Sequence, residues 1–274
     1  MKSELVAKKK FSQNFLVDPA GKERVKKQVL EFLEKYPDRP VIEIGPGQGD
    51  ITQWLIDIGK SVLAIEIDED AVNYLELKFN NSSNISIIQG DAMDLIIKQS
   101  LPENAVLVSN LPYHIGSRLL VELGQHYPQM PFAVILQKEV VEKITTRQMF
   151  TFFGSFIYLY WNCKRVMDLP PNYFYPQPRV YSSMMIGIPK FNSLIEKSPQ
   201  IFLNLEKRVE LKNTLKSLFI NPSKTLNNNL KHLGWDKSTI NQFLTSDIQG
   251  VNLTELTRLS WNNYEQILMS VVSQ

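Results

Sequence analysis

Short apolar runs alternate with amphipathic stretches along the first half of the chain. Val41–Ile44, Ser61–Ile67, Ile85–Gln89, Ala105–Ser109 and Phe132–Leu136 are four to seven residues long and rich in Val, Ile, Leu and Ala. Such runs predict strands buried in a parallel sheet. Helices are predicted from about Pro19 to Tyr36, from Asp50 or Thr52 to about Ile58, over Glu69–Phe79, and near Ser117–His126. Asp18 suits a cap before Pro19, whose fixed φ fits a first helical turn. This alternation predicts a doubly wound α/β sheet. After Lys138 the pattern changes. Phe156–Val166 and Val180–Ile188 are rich in aromatic or β-branched residues and flank the proline-rich stretch Leu169–Pro178. Two late strands joined by a loop predict an antiparallel edge on the parallel sheet. Beyond Pro189 only helical patterns remain. The expected organisation is a larger domain over 1–189 and a smaller all-α domain over 190–274.

The 274 residues are 43% hydrophobic and 21% charged, ordinary values for a globular protein. No apolar run approaches the roughly 18 residues of a membrane span, and the basic N-terminus lacks the apolar core of a secretory signal. Cys163 is the single cysteine, so no internal disulfide and no cysteine-cluster zinc site are expected, and no metal ligands are assigned. A cytoplasmic setting is expected. The net charge of +2 conceals an uneven distribution: +5 over residues 1–27, −9 over 28–112 and +5 over 190–235. Basic ends suit a polyanion, while the acidic centre suits a neutral or cationic ligand. Solvated lysine-rich surfaces explain the same pattern.

Two sites of chemistry stand at predicted strand ends, where open α/β sheets bind ligands. Val41-Ile42-Glu43-Ile44 runs into Gly45-Pro46-Gly47-Gln48-Gly49, and Glu66 ends the next strand, 21 residues after Gly45. Glycines admit a ligand close to the backbone, and an acid at that place accepts from ribose hydroxyls. The spacing Gly-x-Gly-x-Gly differs from the dinucleotide pattern. Glu43 and Asp50 crowd the loop with negative charge, which opposes a pyrophosphate and tolerates a cationic nucleoside such as S-adenosylmethionine. Asp91 follows the third strand and can accept from an adenine amine. Helix capping explains Glu66 and Asp91 equally well when each is taken alone. The second site is Asn110-Leu111-Pro112-Tyr113, after Ala105–Ser109: an amide, a rigid turn and an aromatic ring suited to a flat base with an exocyclic amine. His114 has no identifiable acidic partner and is read as incidental.

These motifs together resemble those of the ribosomal RNA adenine dimethyltransferases. Phe11-Ser12-Gln13-Asn14-Phe15-Leu16, Gly90-Asp91-Ala92, Leu136-Gln137-Lys138-Glu139-Val140 and Phe174-Tyr175-Pro176-Gln177-Pro178-Arg179-Val180 add to the likeness, in order from about residue 8 to 188. The nearest branch dimethylates two adjacent adenosines near the 3′ end of small-subunit rRNA. The resemblance implies a Rossmann-like class I methyltransferase sheet, S-adenosylmethionine as cofactor, and small-subunit rRNA or a pre-30S particle as partner of a monomeric enzyme. It implies that Asn14, Leu16, Gly45, Glu66, Asp91 and Asn110 serve the cofactor, and that Tyr113 and Phe174 sandwich the target base. This chain has Ser12 where the family usually has Gly, and Gly116 where Ser or Thr is common.

On this reading the Asn110 side-chain oxygen and the Pro112 carbonyl hold the hydrogens of the target amine and turn its lone pair toward the methyl group. Phe174 equally suits core packing. Phosphate contacts are expected from Lys8, Lys9, Lys10, Arg118, Lys138, Arg147 and Arg179, with Lys207, Arg208 and Lys212 in the helical domain. The alternatives are a large-subunit rRNA methyltransferase conferring macrolide resistance and a non-catalytic nucleic-acid-binding relative. An NAD-dependent dehydrogenase is disfavoured by the loop spacing.

Overall fold

The computed structural model describes residues 13–146, 151–190, 203–220, 226–232, 236–238 and 240. Its elements in chain order are β1 (Phe15–Leu16), α1 (Pro19–Leu33), β2 (Val41–Ile44), α2 (Asp50–Asp57), β3 (Val62–Glu66), α3 (Glu69–Lys78), β4 (Ile85–Gln89), α4 (Ala92–Ile97) and β5 (Val106–Asn110). They continue with α5 (Gly116–His126), β6 (Phe132–Gln137), α6 (Lys138–Thr145), α7 (Phe152–Tyr160), β7 (Trp161–Leu169), β8 (Phe174–Tyr175), β9 (Ser182–Pro189), α8 (Leu205–Leu218) and α9 (Leu226–His232).

Seven strands form one sheet in the order β4-β3-β2-β5-β6-β9-β7. The pairs from β4 through β6 are parallel, and β9 runs antiparallel to β6, with Ile135 opposite Met184. This is the expected doubly wound sheet with an antiparallel addition. β2 lies inside the sheet between β3 and β5 and is buried at all four positions, as a parallel strand covered on both faces must be. The strand order reverses between β2 and β5, so the loops leaving those two strands diverge and open a crevice. Helix α1 packs Val25, Val29, Phe32 and Leu33 into the core, and the Asp18 side chain caps it by accepting from Gly21 N at 2.7 Å.

A second, two-stranded sheet was not legible in the sequence. β1 pairs antiparallel with β8, setting Phe15 opposite Tyr175 and Leu16 opposite Phe174. Tyr173 O also accepts from Val17 N and Asp18 N. The arm is thereby fastened to the proline-rich loop.

The chain divides into two compact units, Met1–Glu142 with Asn162–Pro189, and Lys143–Trp161 with Lys190–Gln274. In the second unit α8 packs on α7 and α9. One expected strand is a helix here: Phe156–Tyr160 belongs to α7, and the strand begins only at Trp161. A continuous apolar run carries no period to tell a buried helix from a strand. The deciding signal is local, a Thr151 side chain that accepts from Gly154 N and opens the helix. Helices α4 and α6 are further additions to the predicted set.

Candidate functional site

A cleft opens at the C-terminal ends of β2, β3, β4 and β5, with about 1140 Å³ of empty space counting the part open to solvent. It brings together Asn14, Leu16, Gly45, Glu66, Asp91 and the run Asn110–Tyr113, which are dispersed over a hundred residues of sequence.

The glycine loop enters the cleft in left-handed backbone, with φ of +65° at Gly45, +55° at Gly47 and +73° at Gly49. At Gly47 a side chain is also barred by contact, because a Cβ would lie 2.6 Å from the Phe15 ring. Phe15, a cleft residue that sequence reasoning did not single out, therefore seals the arm against the loop. Glu66 is buried at the end of β3. Its Oε1 accepts from Ile67 N at 2.9 Å and Asp68 N at 3.0 Å, and its Oε2 accepts from Gly47 N at 3.3 Å. Burial raises the Glu66 pKa, and these backbone donors oppose the rise. Asp91 caps α4, accepting from Met93 N at 2.8 Å through Oδ1, and it lines the cleft as well. Capping and a cleft position coexist at this residue.

The acids around the glycine loop are unequal in space. Glu43 is 2% exposed, and Thr52 Oγ1 donates to it at 2.6 Å. Burial pushes its pKa up to about 8, so the carboxyl is mostly neutral near pH 7. Asp50 is paired with Lys22 Nζ at 2.8 Å. The negative charge facing the cleft is thus less than the sequence suggests, and Glu66 and Asp91 stand where a ligand meets it.

Asn110 ends β5 beside Gly45. Its Nδ2 donates to the backbone carbonyl of Asn14 at 2.9 Å, a contact spanning 96 residues. Among the described residues nothing donates to its Oδ1. The Pro112 carbonyl does not serve as the expected second acceptor. It accepts from Ile115 N at 3.2 Å and Gly116 N at 3.0 Å, which occupies both lone pairs in starting α5. The Leu111 carbonyl, which the sequence did not single out, has no backbone donor among the described residues. Tyr113 lines the cleft, and its hydroxyl hydrogen-bonds the Ser182 hydroxyl on β9. Burial raises the Tyr113 pKa, so the phenol stays neutral. Gly116 leaves room for Leu136: a Cβ there would lie 2.3 Å from Leu136 Cδ2, so a larger residue has to displace that side chain.

Other expected residues are not brought to the cleft. Phe174 is 3% exposed and packs in the core with Leu16, Val25 and Leu169. It is not among the residues that line the cleft, so here its ring serves as a core residue rather than as the exposed second face expected of a base clamp. Lys138 forms an ion pair with Asp168 at 2.7 Å, and Asp168 also accepts from Ser183 Oγ at 2.6 Å. Lys207 is paired with Glu210 at 2.8 Å. Arg208 is 6% exposed, on the face of α8 that buries Leu211, Leu215 and Leu218, with the Tyr160 hydroxyl nearby. Helical spacing turns it inward, so it is not a phosphate contact. Lys212 is half-buried, while Arg118 and Arg179 are exposed. Lys8, Lys9, Lys10 and Arg147 lie outside the described residues.

Comparison with known proteins sharpens this picture. A solved dimethyladenosine transferase from Plasmodium falciparum has a TM-score of 0.68 at 21% identity, covering 93% of this chain and 96% of that one. The solved 23S rRNA methyltransferase ErmE has a TM-score of 0.66 at 21% identity, covering 95% and 100%. These likenesses establish a common fold. In sequence, the ribosomal RNA small subunit methyltransferase A of Campylobacter fetus is 34% identical over 232 residues, covering 82% of this chain and 81% of the relative. The family model for ribosomal RNA adenine dimethylases matches residues 5–270. This chain belongs to the ribosomal RNA adenine dimethylase family.

Proposed function

We propose that this protein transfers methyl groups from S-adenosylmethionine to the exocyclic amines of two adjacent adenosines in a small-subunit rRNA hairpin. The observation that carries the reading is the single cleft in which the glycine loop and Glu66 meet Asn110 and Tyr113. The 34% identity to a small-subunit methyltransferase supports the choice of subunit, which the fold leaves open.

The chain's own residues fit that cofactor. Gly45 and Gly47 allow close backbone approach, the remaining lone pair of Glu66 Oε2 accepts from a ribose hydroxyl, and the Asp91 oxygen not held by Met93 accepts from the adenine amine. Asn14 and Leu16 close the cleft from the arm. S-adenosylmethionine, when bound, supplies an electrophilic methyl group. The target amine is a weak nucleophile because its lone pair is conjugated into the ring. Asn110 Oδ1 and the Leu111 carbonyl accept its two hydrogens, which holds the lone pair out of the ring plane and stabilises charge developing on nitrogen. The resulting cation is acidic and loses its proton to water, so no general base is required. Tyr113 stacks on the unstacked base, a contact worth about 1–3 kcal/mol. Arg118 and Arg179 contact phosphates, which position the RNA without specifying it. The enzyme acts as a cytoplasmic monomer on the small-subunit or pre-30S particle.

Primer extension on both rRNAs from a strain lacking this protein tests the proposal, since dimethylated adenine cannot pair and stops reverse transcription. A stop lost near the small-subunit 3′ end supports it. A stop lost only in the large subunit, or none lost, rejects it.

A further inference from the structure

We infer that the backbone carbonyl of Asn14 selects the target base, by holding the Asn110 amide with its oxygen toward the incoming group so that an amine is accepted and a keto oxygen refused. This rests on the proposed amine-binding role of Asn110. A carbonyl can only accept a hydrogen bond, so the Asn110 amide must turn its NH₂ to Asn14, as it does at 2.9 Å. The side-chain oxygen is then left to the cleft, where no described residue donates to it.

The two ends of a carboxamide are nearly the same size, so only hydrogen bonding decides which way it faces. Without the arm the amide turns over freely. A turned amide presents NH₂ to an adenine amine, donor against donor, and instead satisfies the 6-keto oxygen of guanine or hypoxanthine. A polar site of this kind discriminates strongly because a mismatched partner leaves buried groups unpaired. The arm is built to keep its carbonyl in place. Leu16 pairs with Phe174, Val17 N and Asp18 N donate to Tyr173 O, and the Phe15 ring covers Gly47. Asn14 is therefore a positioning residue that acts through its main chain.

The test weakens that carbonyl while keeping every side chain. Incorporating phenyllactate at position 15 makes the Asn14–Phe15 link an ester, whose carbonyl is a poorer acceptor; Phe15→Ala, which loosens the arm, is a second variant. Small-subunit rRNA hairpins with adenosine or inosine at the target position compete for methylation of the native substrate. The unmodified enzyme is expected to prefer the adenosine hairpin by at least about tenfold, the lower range of such discrimination. The ester form is expected to bring the preference below about threefold, with Phe15→Ala moving it the same way. An ester form that keeps the full preference overturns the inference, whatever its turnover, as does an unmodified enzyme without preference. Near-normal methylation by Asn110→Ala would instead remove the amine-binding role itself. An inactive Asn110→Ala beside an unaltered ester preference removes only the role of the arm.

Discussion

The two ends of the cleft are wired differently. At the glycine end most of the bonds are local: Glu66 holds Ile67 and Asp68 next to it and Gly47 nineteen residues away, Thr52 holds Glu43 nine residues away, and Asp91 holds Met93 two residues away. At the base end they are long-range: Asn14 to Asn110 across 96 residues and Tyr113 to Ser182 across 69. The first end is held mainly by its own strands, loops and helices, with Phe15 of the arm against Gly47 and Gln13 Nε2 donating to Asp68 at 3.4 Å. The second is complete only when the arm and the antiparallel strand β9 have docked. On the proposed function, this difference predicts that cofactor binding and base positioning can be lost separately within one cleft.

Asn110→Ala gives the largest expected separation. Removing the amine acceptor should lower single-turnover methylation at least about a thousandfold, or about 4 kcal/mol of transition-state stabilisation. Cofactor affinity by calorimetry should stay within about threefold. Parallel losses in both measurements would mean that the two ends are one unit.

Glu43→Gln probes the glycine end through stability. The folded-state pKa of Glu43 lies at about 8, above its ordinary 4.5, so its ionisation is harder in the native protein. Its contribution is therefore fully present below pH 4.5 and is lost as pH rises through about 8. Glutamine cannot ionise and still accepts from Thr52. The variant and the parent should melt together at pH 5, diverge in the variant's favour up to about pH 8, and stay parallel above it. At about 1.4 kcal/mol per pH unit the gap reaches a few kcal/mol. A gap independent of pH would show that Glu43 is ionised throughout.

The same contrast explains what the sequence discloses. Glycine spacing, Glu66 at the end of β3 and Asn110 at the end of β5 are local patterns tied to strand ends, so the sheet, the cleft and most of its lining are legible in the chain. Two-residue strands have no period, and β1–β8 therefore leaves no trace in the sequence. That pairing lays Phe174 against Leu16, and packing with Val25 and Leu169 completes its burial. The Pro112 carbonyl also misleads in sequence, because its donors come from the turn into α5, whose geometry only the fold supplies. Arg208 has the composition of a surface residue. Only its spacing to Leu211, Leu215 and Leu218 reveals the inward face, and a basic patch counted by charge overlooks it.

Glu66→Ala should lower cofactor affinity about 10- to 100-fold, the loss of roughly 1.4–3 kcal/mol for hydrogen bonds to a charged acceptor. Turnover at saturating cofactor should change little, since the base end does not depend on this carboxylate. Unchanged affinity by calorimetry rejects the ribose assignment.

The smallest effect belongs to the shorter of the two long-range bonds at the base end, the hydroxyl pair of Tyr113 and Ser182. One hydrogen bond of this kind contributes about 1 kcal/mol, so Ser182→Ala and Tyr113→Phe should each reduce turnover about three- to tenfold. Cofactor affinity should not move in either variant. If the pair only orients the ring, each change removes the same contact, and the double variant should be no slower than the single ones. Ser182→Thr keeps a hydroxyl and should recover most of the loss. An additive double variant would assign the two hydroxyls separate roles, and a fall in cofactor affinity would tie β9 to the glycine end. Either result would end the division of the cleft into two independently wired halves.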